Sequence, residues 1–290
     1  MVGGLKIWVT GANGQLGHEL VERLRKENEG YIVLSTDMDV DITDMEQVSR
    51  YATTNHPNIV INCAGMTDTD ACEKDMVKAY RVNALGARNV SAAACIVDAK
   101  IIQISTDDVF SGNSRDALTE FDTAVPTTVY GKSKLAGETL VRELNPKHLV
   151  IRSSWVYGNG NNFLTHLLEQ VREGLLVNVA YDQVGTPTST QALADGIISL
   201  IKSKEYGVYH ASCEGFCSRY DFAKKVLELT GNDASLVRPV LSEELDGEKR
   251  RPKFSVLENL MMKLTGIHKM PQWEEDLKEY LKIRGMSYDK

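Results

Sequence analysis

Short apolar runs alternate with amphipathic stretches over the first two-thirds of the chain. Leu5–Thr10, Tyr31–Ser35, Ile59–Ala64, Lys100–Ser105, His148–Ser153 and Gly207–Ala211 read as strands, several of them apolar at successive positions. Gly17–Asn28, Asp44–Asn55, Asp75–Asp98 and Ser133–Leu144 place apolar residues at helical spacing. Strands apolar on both faces and separated by helices predict a parallel sheet covered on two sides, an α/β doubly wound architecture. Ligands of such sheets bind beyond the C-terminal ends of the strands, which makes the loops there the place to look for chemistry. After about Val156 the rhythm loosens into Asn159–Asn162, a helix, and Gln183–Thr190 with Gly185 and Pro187. Beyond Glu214 come helices and irregular segments, read as part of a smaller second lobe.

Composition narrows the class without changing that picture. A chain of 290 residues with 42% hydrophobic and 25% charged residues can bury a sizeable core in one large domain or two lobes. A net charge of −7 argues against nucleic acid and anionic membrane surfaces as partners. No apolar run approaches the roughly 18–20 residues of a bilayer span, and the chain enters a strand at once without a signal-like segment. The expectation is a cytoplasmic protein. The five cysteines (Cys63, Cys72, Cys95, Cys213, Cys217) are too few and scattered for a disulfide framework. Cys213 and Cys217 lack companions at zinc spacing, so no metal is expected and the thiols read as space-filling.

The first loop carries the clearest chemistry. Gly11-Ala12-Asn13-Gly14-Gln15-Leu16-Gly17 lies between a strand and a helix. Glycines at this spacing allow a tight turn, close backbone approach to a pyrophosphate and close helix–strand packing. The helix N-terminus behind them offers amide donors to phosphate. A dinucleotide site on a Rossmann-type sheet follows, with 1–157 and 189–212 as the dinucleotide-binding domain. The smaller C-terminal α/β substrate lobe is then 158–188 with 213–290. Asp37 ends the second strand, where an acid can accept from the adenosine ribose and would repel a 2′-phosphate. That leans towards NADH or dual use; an acidic turn facing water is the competing reading.

Tyr130 and Lys134 stand four residues apart, on one face of a helix. An ammonium about 4 Å from a phenol at an effective dielectric near 20 is worth about 4 kcal/mol before desolvation opposes it, enough to draw a tyrosine from its usual pKa of about 10 towards neutrality. The phenol would then serve as an acid–base group. Thr106 follows the strand Lys100–Ser105 at the predicted ligand edge and could bind the reacting oxygen, or act only as a strand-end cap. Tyr220 and Lys224 share the same spacing but read as packing within an ordinary amphipathic helix, Ser218–Leu229.

These residues belong to motifs that resemble the extended short-chain dehydrogenase/reductases, and within them the dTDP-4-dehydrorhamnose reductase family. The motifs are GANGQLG at 11–17, VDITD at 40–44, INCAG at 61–65, ISTDDVFSG at 104–112, YGKSKLAGE at 130–138, RSSWVYGNGNNF at 152–163, DQVGTPT at 182–188, GVYH at 207–210, RPKFSVL at 251–257 and PQWEEDLK at 271–278. The resemblance implies reduction of the 4-keto group of dTDP-6-deoxy-L-lyxo-4-hexulose to dTDP-L-rhamnose with NADPH or NADH. It implies Tyr130 as proton donor, Lys134 on the nicotinamide ribose and Thr106 orienting the carbonyl. Gly14, Gln15 and Leu16 would cover the pyrophosphate, within the loop from Gly11 through Asn13 to Gly17. Asp41 and Ile42 would flank the adenine, and Gly65, Met66 and Thr67 would line the cofactor. Asp107 and Trp155 would meet the sugar, although Trp155 could equally be a core aromatic. Asn83 resembles the asparagine that supports the lysine; a helix surface position is the alternative. Arg250 and Arg251 could bind the diphosphate or form a solvated basic turn.

Two departures mark the sugar side. Asp108 stands where the family carries Tyr, and Thr67-Asp68-Thr69-Asp70 replaces a Thr-Ala-Val-Asp run, so the pocket is expected to be more acidic. Another nucleotide-sugar short-chain enzyme, an epimerase or dehydratase, and a non-catalytic NADP-binding regulatory subunit are the competing functions. The quaternary state, a homodimer included, is left open.

Overall fold

The computed structural model describes residues 4–27, 30–245 and 251–287. All six expected strands form, and they make one parallel sheet: β1 (Lys6–Thr10), β2 (Ile32–Thr36), β3 (Ile59–Asn62), β4 (Lys100–Thr106), β5 (His148–Ser153) and β6 (Gly207–His210). Their spatial order is β6-β5-β4-β3-β1-β2, so the order reverses between β1 and β3. Every residue of β3 and all but one of β4 are buried, as the apolar runs required.

The period-2 alternation of the strands sorts side chains onto two helix layers. Ile7, Val9, Ile61, Ile102, Leu149 and Ile151 face α1 (Gln15–Lys26) and a helix over residues 190–201, with later helices of the chain continuing the same core. Trp8, Val60 and Ile101 face the other way, against α2 (Met45–Asn55), α3 (Ala87–Ile96) and α4 (Val129–Leu144). Trp8 is fully buried, stacks on Tyr51 with ring centroids 4.7 Å apart, and donates its indole N–H to Thr36 Oγ1 at 2.9 Å.

Two helices differ from expectation. The segment Asp75–Asp98 is a helix Met76–Tyr80, a π-helical turn Arg81–Gly86 and then α3. The helix expected from Ser133 begins at Val129, because the Thr128 hydroxyl caps it by accepting the Gly131 amide at 2.9 Å. Tyr130 therefore lies in its first turn.

Outside the large sheet, short strands pair locally: Val156–Tyr157 with Thr188–Ser189, Val184–Gly185 with Cys217–Ser218, and Val177–Ala180 with Val237–Val240. Helices α5 (Phe163–Arg172), α6 (Thr190–Ile201), α7 (Arg219–Leu229) and α8 (Trp273–Ile283) complete the fold. Asp276 in the first turn of α8 is buried and accepts from Tyr157 Oη (2.9 Å), Ser189 N (2.9 Å) and Ser189 Oγ (2.6 Å), which ties the C-terminal helix to the rest. No helix among the described residues is long and apolar enough to cross a membrane. The five cysteines are free thiols.

Candidate active site

The phosphate turn is built as its glycines demand. Gly11 has φ +63°, and a Cβ there would lie 2.6 Å from the Ala64 amide nitrogen on the neighbouring strand end. Gly14 occupies the N-cap of α1 and no side chain caps that helix, so its first amides remain open to an anion. Gln15 reaches across to the segment before α5, donating to the Asn161 carbonyl at 3.0 Å and accepting from Asn162 Nδ2 at 3.1 Å. This cradle, at the point where the strand order reverses, fits a dinucleotide.

A cleft of about 430 Å³ opens there, bounded by Gly14–Gly17, the ends of β3 and β4, α4 and the second lobe. It brings Thr106, Tyr130 and Lys134 together with Gly65, Thr67, Trp155 and Arg251. Gly11, Asn13, Asp37, Asp41, Ile42 and Met66 do not line it. The Asp37 carboxylate accepts the Asn13 amide at 2.9 Å, so it braces the phosphate turn and is not merely a solvated acid. Asp41 caps its own turn by accepting the Thr43 amide at 2.8 Å. Ile42 is buried against Gly86, and its carbonyl accepts from Asn89 Nδ2 at 2.9 Å.

Tyr130, Lys134 and Thr106 converge from α4 and β4. Gly131 lets this happen: a Cβ there would run into the Asp108 carbonyl, so only glycine lets the first turn of α4 press onto the end of β4. Lys134 is buried and donates to the Ile104 carbonyl at 2.6 Å. Burial pulls its pKa down to about 8, against the pull of Glu138. The phenol behaves otherwise than the spacing argument expected. Burial first, and then the nearby Asp108, push the Tyr130 pKa up, and only a hydrogen bond with Thr106 opposes them. Desolvation outweighs the ammonium, which is turned towards a backbone carbonyl. The result is a phenol that keeps its proton at neutral pH, the state a proton donor needs.

Asn83 is neither a surface residue nor a direct partner of the lysine. It is 2% exposed, accepts the Met66 amide at 2.8 Å, and donates to the Met66 carbonyl at 3.0 Å and to Ser133 Oγ at 2.9 Å. It thereby joins the Gly65–Thr67 segment to α4, and it sits in the π-helical turn, a common feature of functional segments.

On the sugar side, Thr106 donates to Asp107 Oδ1 at 3.0 Å and accepts the Asp108 amide at 3.1 Å. Asp107 also accepts from Ser154 Oγ at 2.8 Å and from Ser255. Trp155 is a cleft residue and not a core aromatic. It holds φ +44°, unusual for a bulky side chain, with its ring wedged against Gly185 and under the Arg219 guanidinium at 3.8 Å. Arg219, at the start of α7, was not singled out from the sequence; nothing in an amphipathic helix start marks it until the lobes are packed. Arg251 is exposed at the cleft and acts on Asp108 through its charge; Arg250 lies outside the described residues. Tyr220 packs on the core with Lys224 5.6 Å from its ring, away from the cleft, as expected of a structural pair.

Of the two departures, the second does not acidify the pocket through Asp68, which is spent on capping the helix Thr69–Lys74 by accepting the Asp70 and Ala71 amides at 3.0 Å each. Asp108 does line the cleft. No cluster suited to a metal ion is present among the described residues.

The sequence profile of the RmlD substrate binding domain matches residues 5–285. A spore coat polysaccharide biosynthesis protein, SpsK, of Bacillus subtilis is 38% identical, with 98% of this chain and 99% of that protein covered. The structure of a dTDP-4-dehydrorhamnose reductase from Clostridium acetobutylicum is 45% identical and superposes with a TM-score of 0.94, covering 97% of this chain and 100% of that one. A second dTDP-4-dehydrorhamnose reductase, from Bacillus anthracis and in complex with NADP, is 39% identical with a TM-score of 0.93, covering 97% and 99%.

Proposed function

Since the chain belongs to the RmlD substrate binding domain family, we propose that it reduces the 4-keto group of a dTDP-linked 6-deoxyhexulose with NAD(P)H, forming dTDP-L-rhamnose. The observation that carries this reading is the meeting of Thr106, Tyr130 and Lys134 in one cleft opposite an uncapped helix N-terminus. Reduced nicotinamide, when bound, supplies the hydride that adds to the keto carbon.

The chain's own residues supply the rest. The turn Gly11–Gly17 and the amides of α1 receive the pyrophosphate, with Asn13 fixed by Asp37. The segment Gly65–Thr67, held by Asn83, lies along the cofactor edge. The neutral Tyr130 phenol gives its proton to the carbonyl oxygen as the hydroxyl forms, and the buried Lys134 ammonium stabilises the phenolate left behind. Thr106 fixes the phenol and must turn its hydrogen from Asp107 to hold the carbonyl. Trp155 and Arg219 form a wall for the sugar nucleotide, with Arg251 available to its diphosphate. In this reading 1–157 with 189–212 hold the cofactor, and 158–188 with 213–290 close over the sugar.

The test is oxidation of NADH and of NADPH, followed separately, against a panel of 4-keto nucleotide sugars with product identification. Reduction of the dTDP-linked 4-ketone is expected with at least one cofactor. Loss of water, inversion of configuration without net oxidation of cofactor, or binding without turnover would point instead to a dehydratase, an epimerase or a regulatory subunit.

A further inference from the structure

The Asp108 carboxyl group stands out among the buried polar groups of the cleft. It is 8% exposed, and no described residue donates a hydrogen bond to it. Its neighbour Asp107 takes up three hydroxyls, from Thr106, Ser154 and Ser255. Asp108 is left with charge alone: repulsion from Asp107 and attraction from Arg251 and Arg219. A buried carboxyl without donors is costly, and such groups in a folded protein mark a place where something else supplies the partner. It lines the cleft beside Thr106 and Tyr130, on the sugar side of the proton donor. In a 6-deoxy-4-hexulose the two carbons flanking the ketone differ: C5 carries the methyl-bearing branch and C3 carries a hydroxyl.

We propose that Asp108 is a specificity-determining residue whose carboxyl group hydrogen-bonds the hydroxyl on the sugar carbon next to the reacting ketone. The inference rests on the reductase reading and adds a substrate class to it: 4-keto sugars that keep the C3 hydroxyl. Both sides of the contact gain. The hydroxyl finds an acceptor in the cleft, and the carboxyl finds the donor that the protein withholds. A sugar lacking that hydroxyl leaves the carboxyl unpaired and is rejected, as sites built around a substrate hydroxyl reject the deoxy analogue.

Initial rates of cofactor oxidation test this with the dTDP-linked 4-ketone and its 3-deoxy analogue, for wild type, Asp108→Ala and Asp108→Asn. Asp108→Ala should lower kcat/KM on the hydroxylated sugar by roughly ten- to a hundredfold, the scale of a hydrogen bond to a charged group. The same variant should not lower kcat/KM on the 3-deoxy sugar, and should raise it as far as the unpaired carboxyl is what rejects that sugar, while Asp108→Asn, which keeps an acceptor oxygen, should fall between. Equal losses on both sugars would overturn the proposal, and so would no loss on either. If the alanine variant does not fold, the same comparison with Asp108→Asn decides. A wild type inert towards every 4-keto nucleotide sugar would instead overturn the parent reading.

Discussion

The Glu138 carboxylate accepts two hydrogen bonds from the Arg152 guanidinium, at 3.0 Å from Nε and 2.7 Å from Nη2, with both side chains almost wholly buried. Ser105 adds a third, donating to Glu138 Oε1 at 2.5 Å. Glu138 lies one turn along α4 from Lys134, and Arg152 is the register partner of Ser105 on the adjacent strand. The pair thus fastens the catalytic helix to β4 and β5 directly behind the reacting groups. Glu138→Ala leaves the guanidinium buried and uncompensated, and should cost about 3–5 kcal/mol of stability. Denaturant unfolding of this variant reads that loss; a midpoint unchanged from wild type would show that the helix is held by other contacts.

Tyr130→Phe keeps the ring and its packing but removes the proton. Expected is at least about a hundredfold loss of kcat with the cofactor dissociation constant nearly unchanged. On the proposed reading Lys134→Ala should weaken both, since the ammonium would serve the phenol and stands near Gly65, the expected cofactor side. Turnover of the phenylalanine variant at the wild-type rate would remove Tyr130 from the role of donor.

Much of this was legible before any coordinates. The buried strands β3 and β4 read correctly because strands buried on both faces must be apolar nearly throughout, while β2, with only Thr36 buried, was marked by its apolar run Tyr31–Leu34. The glycine turn read correctly because few residues can follow Gly11 into positive φ against Ala64. What escaped depends on packing between distant segments. The helix start at Val129 was hidden by Gly131, a poor helix former, although Thr128 three residues before it was a usable cap signal. The strand pair Val177–Ala180 and Val237–Val240 joins short segments far apart in sequence, one of them containing Pro239. Arg219 and the bracing role of Asp37 are set by what lies opposite them. The lowered phenol pKa inferred from spacing failed for the same reason: spacing fixes a shared helix face, while burial and the direction of the lysine head group are tertiary facts.

Asp108 gives stability a pH dependence of known sign. Burial, and then repulsion from Asp107, push its carboxyl up to about 7. Arg251 and Arg219 oppose the rise, and Tyr130 on α4 also faces the group. Burial pushes the Asp107 carboxyl up as well, and the hydroxyls that donate to it oppose that rise. Between an unfolded value near 4 and the folded value, the native state keeps a proton that the unfolded chain releases, so this contribution makes stability fall as pH rises through that window. Asp108→Asn has no such proton. Its melting temperature relative to wild type should therefore rise from about pH 5 to about pH 8, and calorimetry at both values checks this. A difference independent of pH would mean that Asp108 is already ionised at the lower value.

Asn83 supplies the last prediction because its three hydrogen bonds make a single mechanical link. Its amide closes a two-bond clamp on the Met66 backbone and a third bond to Ser133, whose own hydroxyl donates to the Tyr130 carbonyl at 2.8 Å. The segment Gly65–Thr67 is thereby held in register with the first turn of α4. Asn83→Ala removes the clamp and leaves the Met66 amide without its side-chain acceptor, at a cost of about 1–3 kcal/mol in stability. Because the link positions both edges, cofactor affinity and kcat should fall together, and Asn83→Asp, which keeps the acceptor for Met66 but loses both donors, should recover part of the affinity. Titration of NADPH binding beside single-turnover rates separates the two effects. If affinity stays at the wild-type level while only the melting temperature drops, Asn83 serves the fold and not the alignment of the site.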